Sequence, residues 1–288
     1  MKLATSRLLR EWVILTLLLS GLLVAAVRSG WMERADFWLY DTSVTWSGRA
    51  APADILILAI DEESLGRQGR WPWSRQVLAD AVERLTLAGA GPLLLDVIFS
   101  EPQSDDPAAD ERLAAALVRH GRVVLPVYMP DAGTTVAKPL TGLAAVARLG
   151  HAQALVDRDG VSRRYLSAEV AGGTAYPHVA QVLLELSGQL PAANASTSAV
   201  LVPFVGPSGH FMRRPLSALL EGRIPAEELK GRIILIGATA TGLGDNLVTP
   251  LAGSSGAMPG IEFVANALDG LRCGLSPRPV EARPRLAL

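Results

Sequence analysis

The polarity pattern divides the chain before any motif is sought. From Trp12 to Val27 the sequence WVILTLLLSGLLVAAV carries no charge, and ten of its residues are Leu, Ile or Val. At roughly −0.3 to −0.6 kcal/mol each on an insertion scale, they supply about −3 to −6 kcal/mol toward a membrane span. Sixteen helical residues cover only ~24 Å of a ~30 Å hydrocarbon core. Trp12, Arg10 and Arg28 are therefore expected to extend the span by interfacial anchoring and snorkelling. Lys2, Arg7 and Arg10 precede it, which by the positive-inside rule puts the start in the cytoplasm and the rest outside. A cleaved signal peptide is the rival reading. Ala25 and Ala26 are followed by Val27 and Arg28, a poor cleavage site, so an uncleaved anchor is expected.

The next stretch, SGWMERADFWLYDTSVTW, spaces Trp31, Ala35 and Trp38 as one helical face. Two readings stand: an amphipathic helix that continues the anchor and packs on a following domain, or an aromatic belt at the membrane surface. Beyond it the period alternates. Apolar runs at Ala53–Asp61, Gly91–Ser100, RVVLPVYM and Arg232–Thr239 read as strands with no polar alternation, the mark of strands covered on both faces. Between them, Val77, Leu78, Ala81, Val82 and Leu85 give a helical face with Ser74 as N-cap. Asp106–His120 gives another, with Pro107 in the first turn and Gly121 after the end. Strands alternating with helices mean βαβ units and a parallel sheet. HAQALVDRDGVSRRYLSAEV reads as a hairpin turning at Asp157–Gly160. Val179–Leu186 and PLSALLEG read as helices, LVPFV as a short strand, and GIEFVANALDGLRC as a closing helix.

The expected fold class is therefore α/β: a mainly parallel central sheet with flanking helices and an inserted β-hairpin, preceded by one N-terminal transmembrane helix. The expected divisions are a cytoplasmic N-terminus at 1–11, an anchor at 12–29, a connector helix at 30–52, an α/β domain at 53–274 and a linker at 275–288.

Composition narrows the classes. A formal net charge of −1 over 288 residues argues against a nucleic-acid binder, which concentrates basic charge. The lone cysteine, Cys273, cannot close an internal disulfide and makes a Cys-metal cluster unpromising. His120, His151, His178 and His210 share no metal-ligand spacing; neither a metal nor a cofactor is expected. Gly206-Pro-Ser208-Gly-His210 lacks the glycine that closes a nucleophile elbow. Asp157-Arg-Asp159-Gly160 lacks the later ligands of a calcium loop. GATATGLGDN is glycine-rich after a strand but is neither a Walker loop nor G-x-G-x-x-G; tight turns explain its glycines. No catalytic residue is assigned.

Two features remain. Asp61 and Asp96 each close, or nearly close, an apolar strand, and open parallel sheets bind ligands outside the carboxyl ends of their strands. RQGRWPWSR sets Trp71 and Trp73 around Pro72 in a basic loop after the first strand. Pro72 stiffens that loop, so placing the rings loses little entropy. The expected ligand-binding residues are Asp61, Arg70, Trp71, Trp73, Asp96 and Asp245. One tryptophan is expected to pack over the first strand–helix turn and the other to line a cleft. The bland alternative is that the carboxylates cap helices or pair with Arg70 or Arg75.

DILILAIDEESLGRQGRWPWSRQVLADAVERL, GPLLLDVIFSEPQSDDPAADERLAAAL and RVVLPVYM, followed by GHAQALVDRDGVSRRYL, GRIILIGATATGLGDNLVTPLAG and MPGIEFVANALDG, resemble in order the blocks of the CHASE2 family. The resemblance implies an extracytoplasmic sensor domain in a bacterial cell membrane, held by an N-terminal anchor and followed by further spans. It implies an effector beyond them: a histidine kinase, a nucleotide or diguanylate cyclase, or a Ser/Thr kinase. No second span or effector is read in this sequence, which suits a fragment or a truncation. The implied partners are the membrane, an unknown small-molecule or envelope signal, and a second copy of the chain, since kinases and cyclases act in pairs. The alternatives are a secreted or anchored periplasmic binding protein without effector, a cell-envelope interaction protein, and a periplasmic hydrolase.

Overall fold

The computed structural model describes residues 2–29, 31–129, 136–189 and 197–276. The chain divides into two compact units, Met1–Ser47 and Gly48–Leu288. Within the first, α1 (Lys2–Arg28) is a continuous helix and α2 (Trp31–Trp46) a second. One stretch of α1, Leu8–Ala26, is long and apolar enough to cross a membrane. It begins four residues before the uncharged run, because a helix does not stop at Arg10 and Glu11 and their long side chains can reach outward. Its large side chains are bare of protein, Leu17 being 67 % and Leu22 68 % exposed. On α2, Trp31, Trp38 and Trp46 are also exposed.

The second unit opens with β1 (Ile55–Ile60), α3 (Glu62–Gln68), α4 (Arg75–Leu87), β2 (Leu93–Leu95), α5 (Pro107–His120), β3 (Val123–Val127), α6 (Thr141–Ala144) and β4 (Arg148–His151). Two hairpins follow: β5 (Ala154–Val156) with β6 (Ser162–Leu166), and β7 (Ala168–Ala171) with β8 (Thr174–Pro177). Then come α7 (Val179–Leu186), β9 (Ala199–Leu201), β10 (Arg213–Pro215), α8 (Leu216–Leu220), α9 (Ala226–Leu229) and β11 (Ile233–Ala238). The short β12 (Asn246–Leu247), α10 (Ala252–Ser255) and β13 (Met258–Pro259) lead into α11 (Gly260–Arg272).

The main sheet has six strands in the order β10-β1-β11-β2-β3-β4, and every pair in it is parallel. Strands β1, β2 and β3 are buried along their whole length and β11 as far as Gly237, because helices cover both faces. On one face Leu56, Leu58, Ile60, Leu93, Leu95 and Ile236 pack with the apolar rows of α4, α5 and α8. On the other, α11 lies along β11 and against α7. Gly237 permits that approach: a Cβ there would stand 2.8 Å from Ile261.

The caps follow the expected chemistry. Ser74 accepts from the Gln76 amide at the start of α4. Pro107 opens α5, and Gly121 closes it at φ 73°, the left-handed conformation that glycine adopts without strain. The chain leaves the sheet earlier than the apolar runs suggest. β2 ends at Leu95, where the Asp96 amide donates to the Ile236 carbonyl and the Val97 amide folds back on Leu95. Of LVPFV only Leu201 belongs to a strand, the end of β9, with the Val202 amide still donating to the Arg163 carbonyl. The segment Arg67–Gln68, expected in a loop, closes α3 instead. The sheet also holds two strands that the polarity pattern did not mark, β4 and β10. The expected linker from 277 onward lies outside the described residues.

Candidate functional site

The carboxyl edge of the sheet opens into a cavity of about 500 Å³. Its walls come from the ends of β1 (Ile60), β3 (Val127) and β11 (Ala238) and from the segments that follow β2, β4 and β11. A parallel sheet sends all its strand ends to one edge, so residues far apart in sequence meet there. Gly260 and Ile261, the first residues of α11, close the floor.

Four of the six expected binding residues line this space: Trp71, Trp73, Asp96 and Asp245. The tryptophans meet edge to face, centroids 5.3 Å apart, a favourable aromatic arrangement. Trp73 is buried in the core, and its indole N–H donates to the Gly69 carbonyl at 2.9 Å. Trp71 is half-buried at the cavity wall, and its peptide bond to Pro72 is cis. Asp61 and Arg70 are not among the lining residues. Asp61 caps α3, its carboxylate accepting from the Ser64 amide at 2.9 Å. Arg70 is exposed.

Polarity expectations missed other lining groups. Arg75, Tyr128 and Gln153 also face the cavity. Tyr128 directly follows β3 and Gln153 follows β4 by two residues, so the strand-end argument that picked out Asp96 would have reached Tyr128. Arg75 sits at the first turn of α4 and is already engaged. Its Nε stands 3.4 Å from Asp110, its Nη2 donates to the Glu101 carbonyl at 3.0 Å, and its guanidinium lies 5.1 Å from the Phe99 ring centre.

The carboxylates differ from that arginine. Among the described residues no cation lies within ion-pair distance of Asp96 or Asp245. Burial against the apolar wall pushes the Asp96 carboxyl up to about 6, and the charge of Asp245 adds to the effect. Desolvation disfavours the charged form, and a like charge does the same.

At the opposite end of the unit, charges are paired. Arg49 binds the Asp269 carboxylate at 2.9 Å and the Pro203 carbonyl at 2.8 Å. Arg272 bridges Asp269 at 3.0 Å and Asp54 at 2.5 Å. Asp54 immediately precedes β1, so this cluster stands at the amino edge. The same helix α11 thus reaches from the cavity floor to this cluster. Midway it fixes the loop 205–210 from its buried side: Glu262 accepts from the Gly209 and His210 amides at 2.7 and 3.1 Å, and Asn266 from the Val205 amide at 2.8 Å.

The remaining polar clusters are structural. Asp157 and Asp159 are held by Arg163 at 3.0 and 2.8 Å, which occupies the carboxylates of the β5–β6 hairpin. Ser208 hydrogen-bonds Glu262 at 3.3 Å, an acceptor that holds the turn rather than a histidine base. His151 and His178 are fully buried with ring centres 5.1 Å apart. Burial pushes His151 down to about 4, and burial plus its neighbour pushes His178 well down, so both are neutral near pH 7. Among the described residues no group of three His, Cys, Asp or Glu side chains is placed to hold a metal ion.

An all-parallel sheet with a largely apolar cavity at its carboxyl edge has the place where open α/β folds bind their ligands. The family model described as the CHASE2 domain matches residues 15–286, and the chain belongs to that family. CHASE2 domains are extracytoplasmic sensor domains of signalling receptors, and the single N-terminal apolar helix fits membrane anchoring. No curated protein and no solved structure matches the chain.

Proposed function

We propose that the cavity at the carboxyl edge receives the signal and that α11 carries its state to the amino edge, where the chain enters the domain. The unit from Gly48 onward stands outside the inner membrane, with the N-terminus in the cytoplasm. Trp71, Trp73, Asp96 and Asp245 contact the signal molecule. Asp61 serves as a helix cap. The receiving effector belongs to the kinase or cyclase classes that such receptors drive.

One observation supports this reading above the others. Helix α11 begins in the cavity floor at Gly260 and Ile261, and its last turn holds Arg49 and Asp54, the residues that open the domain. Thirteen helical residues make a rod about 20 Å long. Packed interiors shift between discrete arrangements rather than deform smoothly, so a displacement of the floor moves the far turn. A ligand that prefers one arrangement shifts the population toward it.

The test fills the cavity without a ligand. Leu243 lines it from the loop after β11, and Leu243→Trp adds bulk there. In the full chain, amide hydrogen exchange at residues 269–272 changes at least fivefold, while exchange in α5 stays within twofold of the parent. Unchanged exchange at 269–272 contradicts the reading.

A further inference from the structure

We infer that the cavity is a site for a small organic cation, an ammonium group carried on an apolar body. The inference rests on the sensor reading above and deepens it by naming the class of signal.

Three independent features point the same way. The first is charge. The titratable or charged groups that face the cavity are Arg75 from α4, Asp96 after β2, Tyr128 after β3 and Asp245 after β11. Arg75 is already engaged by Asp110 and the Glu101 carbonyl. Asp96 and Asp245 have no cation within ion-pair distance among the described residues. Asp96 lies partly buried in the wall and Asp245 is exposed on the same lining; their like charges repel, and a positive group between them removes that repulsion.

The second feature is the ring surface. Trp71 stands half-buried at the wall, and Tyr128, 43 % exposed, lines the same cavity. An ammonium favours an aromatic face within about 6 Å, and indole is the best of them. Trp73 locks Trp71 from behind by its edge-to-face contact and its own bond to Gly69, so the platform is rigid before anything binds.

The third is the remaining wall: Ile60, Leu78, Val97, Val127, Leu243 and Ile261 are aliphatic. They suit a hydrocarbon body and leave a bare metal ion poorly served. Calcium takes six to eight oxygen ligands and magnesium demands an octahedron, whereas the side-chain oxygens on this lining come from Asp96, Asp245, Gln153 and Tyr128 amid hydrocarbon. The volume of about 500 Å³ lies within the range of small-molecule sites.

Binding of an ammonium favours ionised Asp96. Since burial and Asp245 hold that carboxyl up to about 6, amine affinity rises as pH climbs through that value and the site gives up its proton.

The test uses the full chain in detergent micelles and calorimetric titration with 2-phenylethylamine and n-hexylamine. The isosteric alcohols, 2-phenylethanol and n-hexanol, are the neutral partners. Micelle partitioning is common to all variants and cancels in the comparison of wild type with Asp96→Asn and Asp245→Asn. At least one amine binds wild type tenfold or more tightly than its alcohol at pH 8. Each variant brings that ratio to within twofold, and the wild-type ratio shrinks at pH 5. Alcohols that bind as well as amines overturn the inference. So does a preference that survives both variants, or a pH-driven change in α11 with no amine bound, which would make the proton itself the signal. If the amines fail while Leu243→Trp still alters exchange at residues 269–272, the cation class falls and the sensor reading stands. If that exchange is unmoved, the sensor reading falls and calorimetry alone decides the ammonium site.

Discussion

The two edges of the parallel sheet use charge in opposite ways. At the amino edge, Arg49, Asp54, Asp269 and Arg272 form a closed set in which each carboxylate meets a guanidinium within 3.0 Å. At the carboxyl edge, Asp96 and Asp245 line one cavity and, among the described residues, meet none. Both edges are built on the same strands and share one helix, so the difference is not one of fold. A paired cluster holds elements together, since removing one partner strands the other. A carboxylate that burial holds back from ionising, as at Asp96, destabilises the empty protein at neutral pH, and such groups are found where binding is served. The first edge fastens the domain where the chain enters it; the second, on the function proposed above, takes the occupant.

Substitutions can break this contrast, and their effects fall in order. Trp73→Ala is the most damaging. It removes a buried ring and the bond to Gly69, and costs about 4 kcal/mol in urea unfolding of the full chain. A loss under 1 kcal/mol would mean that the tryptophan platform is not anchored by the core. Asp269→Ala follows, at about 3 kcal/mol, because Arg49 and Arg272 lose their common partner in a half-buried place. Stability unchanged by this variant would erase the distinction between the edges.

Asp96→Asn has the opposite sign. In the unfolded chain the Asp96 carboxyl ionises near 3.8, and in the folded chain only near 6. Between those values the folded state holds the extra proton, so stability from this group is present below pH 4 and lost as pH rises to 6. The asparagine variant lacks that loss and is more stable at pH 7 by on the order of 2 kcal/mol. A parent whose stability does not fall across this window, relative to the variant, would show that Asp96 titrates normally. The smallest effect belongs to Asp61→Ala. It deletes the α3 cap and costs about 1 kcal/mol, with amine binding unchanged; weaker amine binding would bring Asp61 into the cavity's chemistry.

The sequence exposed those features that one segment specifies by itself. Helices α4, α5 and α7 announce themselves through apolar spacing and through caps at Ser74, Pro107 and Gly121. Strands β1 and β11 are uninterrupted aliphatic runs. What stayed hidden depends on company. Helix α3 has seven residues, a glycine at 66 and one buried side chain, Ser64, so it has no apolar face to read. Strand β4, RLGH, carries the single aliphatic residue Leu149 and is a strand because β3 pairs with it. Strand β10, RRP, sits at the sheet edge, where exposed arginines and a proline are tolerated.

The site divides along the same line. Asp96 was legible because it follows an apolar run, and Trp71 and Trp73 because they flank a proline in a chain with few aromatics. Asp61 met the same strand-end criterion as Asp96 but is used up by the helix that starts beside it. The role of Gly260 and Ile261 could not be read, since it exists only once α11 lies on β11 over Gly237.

Coupling between two sites is reciprocal, so the central claim can be tested from the far end, with the cavity left intact. Arg49→Ala in the full chain unfastens the last turn of α11. Amide hydrogen exchange at Gly260–Phe263, on the cavity floor, then changes about fivefold or more, as a coupling of 1 kcal/mol requires, while the α4–α5 layer keeps its protection. Exchange altered only around Arg49 and Asp269, with the floor unmoved, would contradict the claim that α11 joins the two edges.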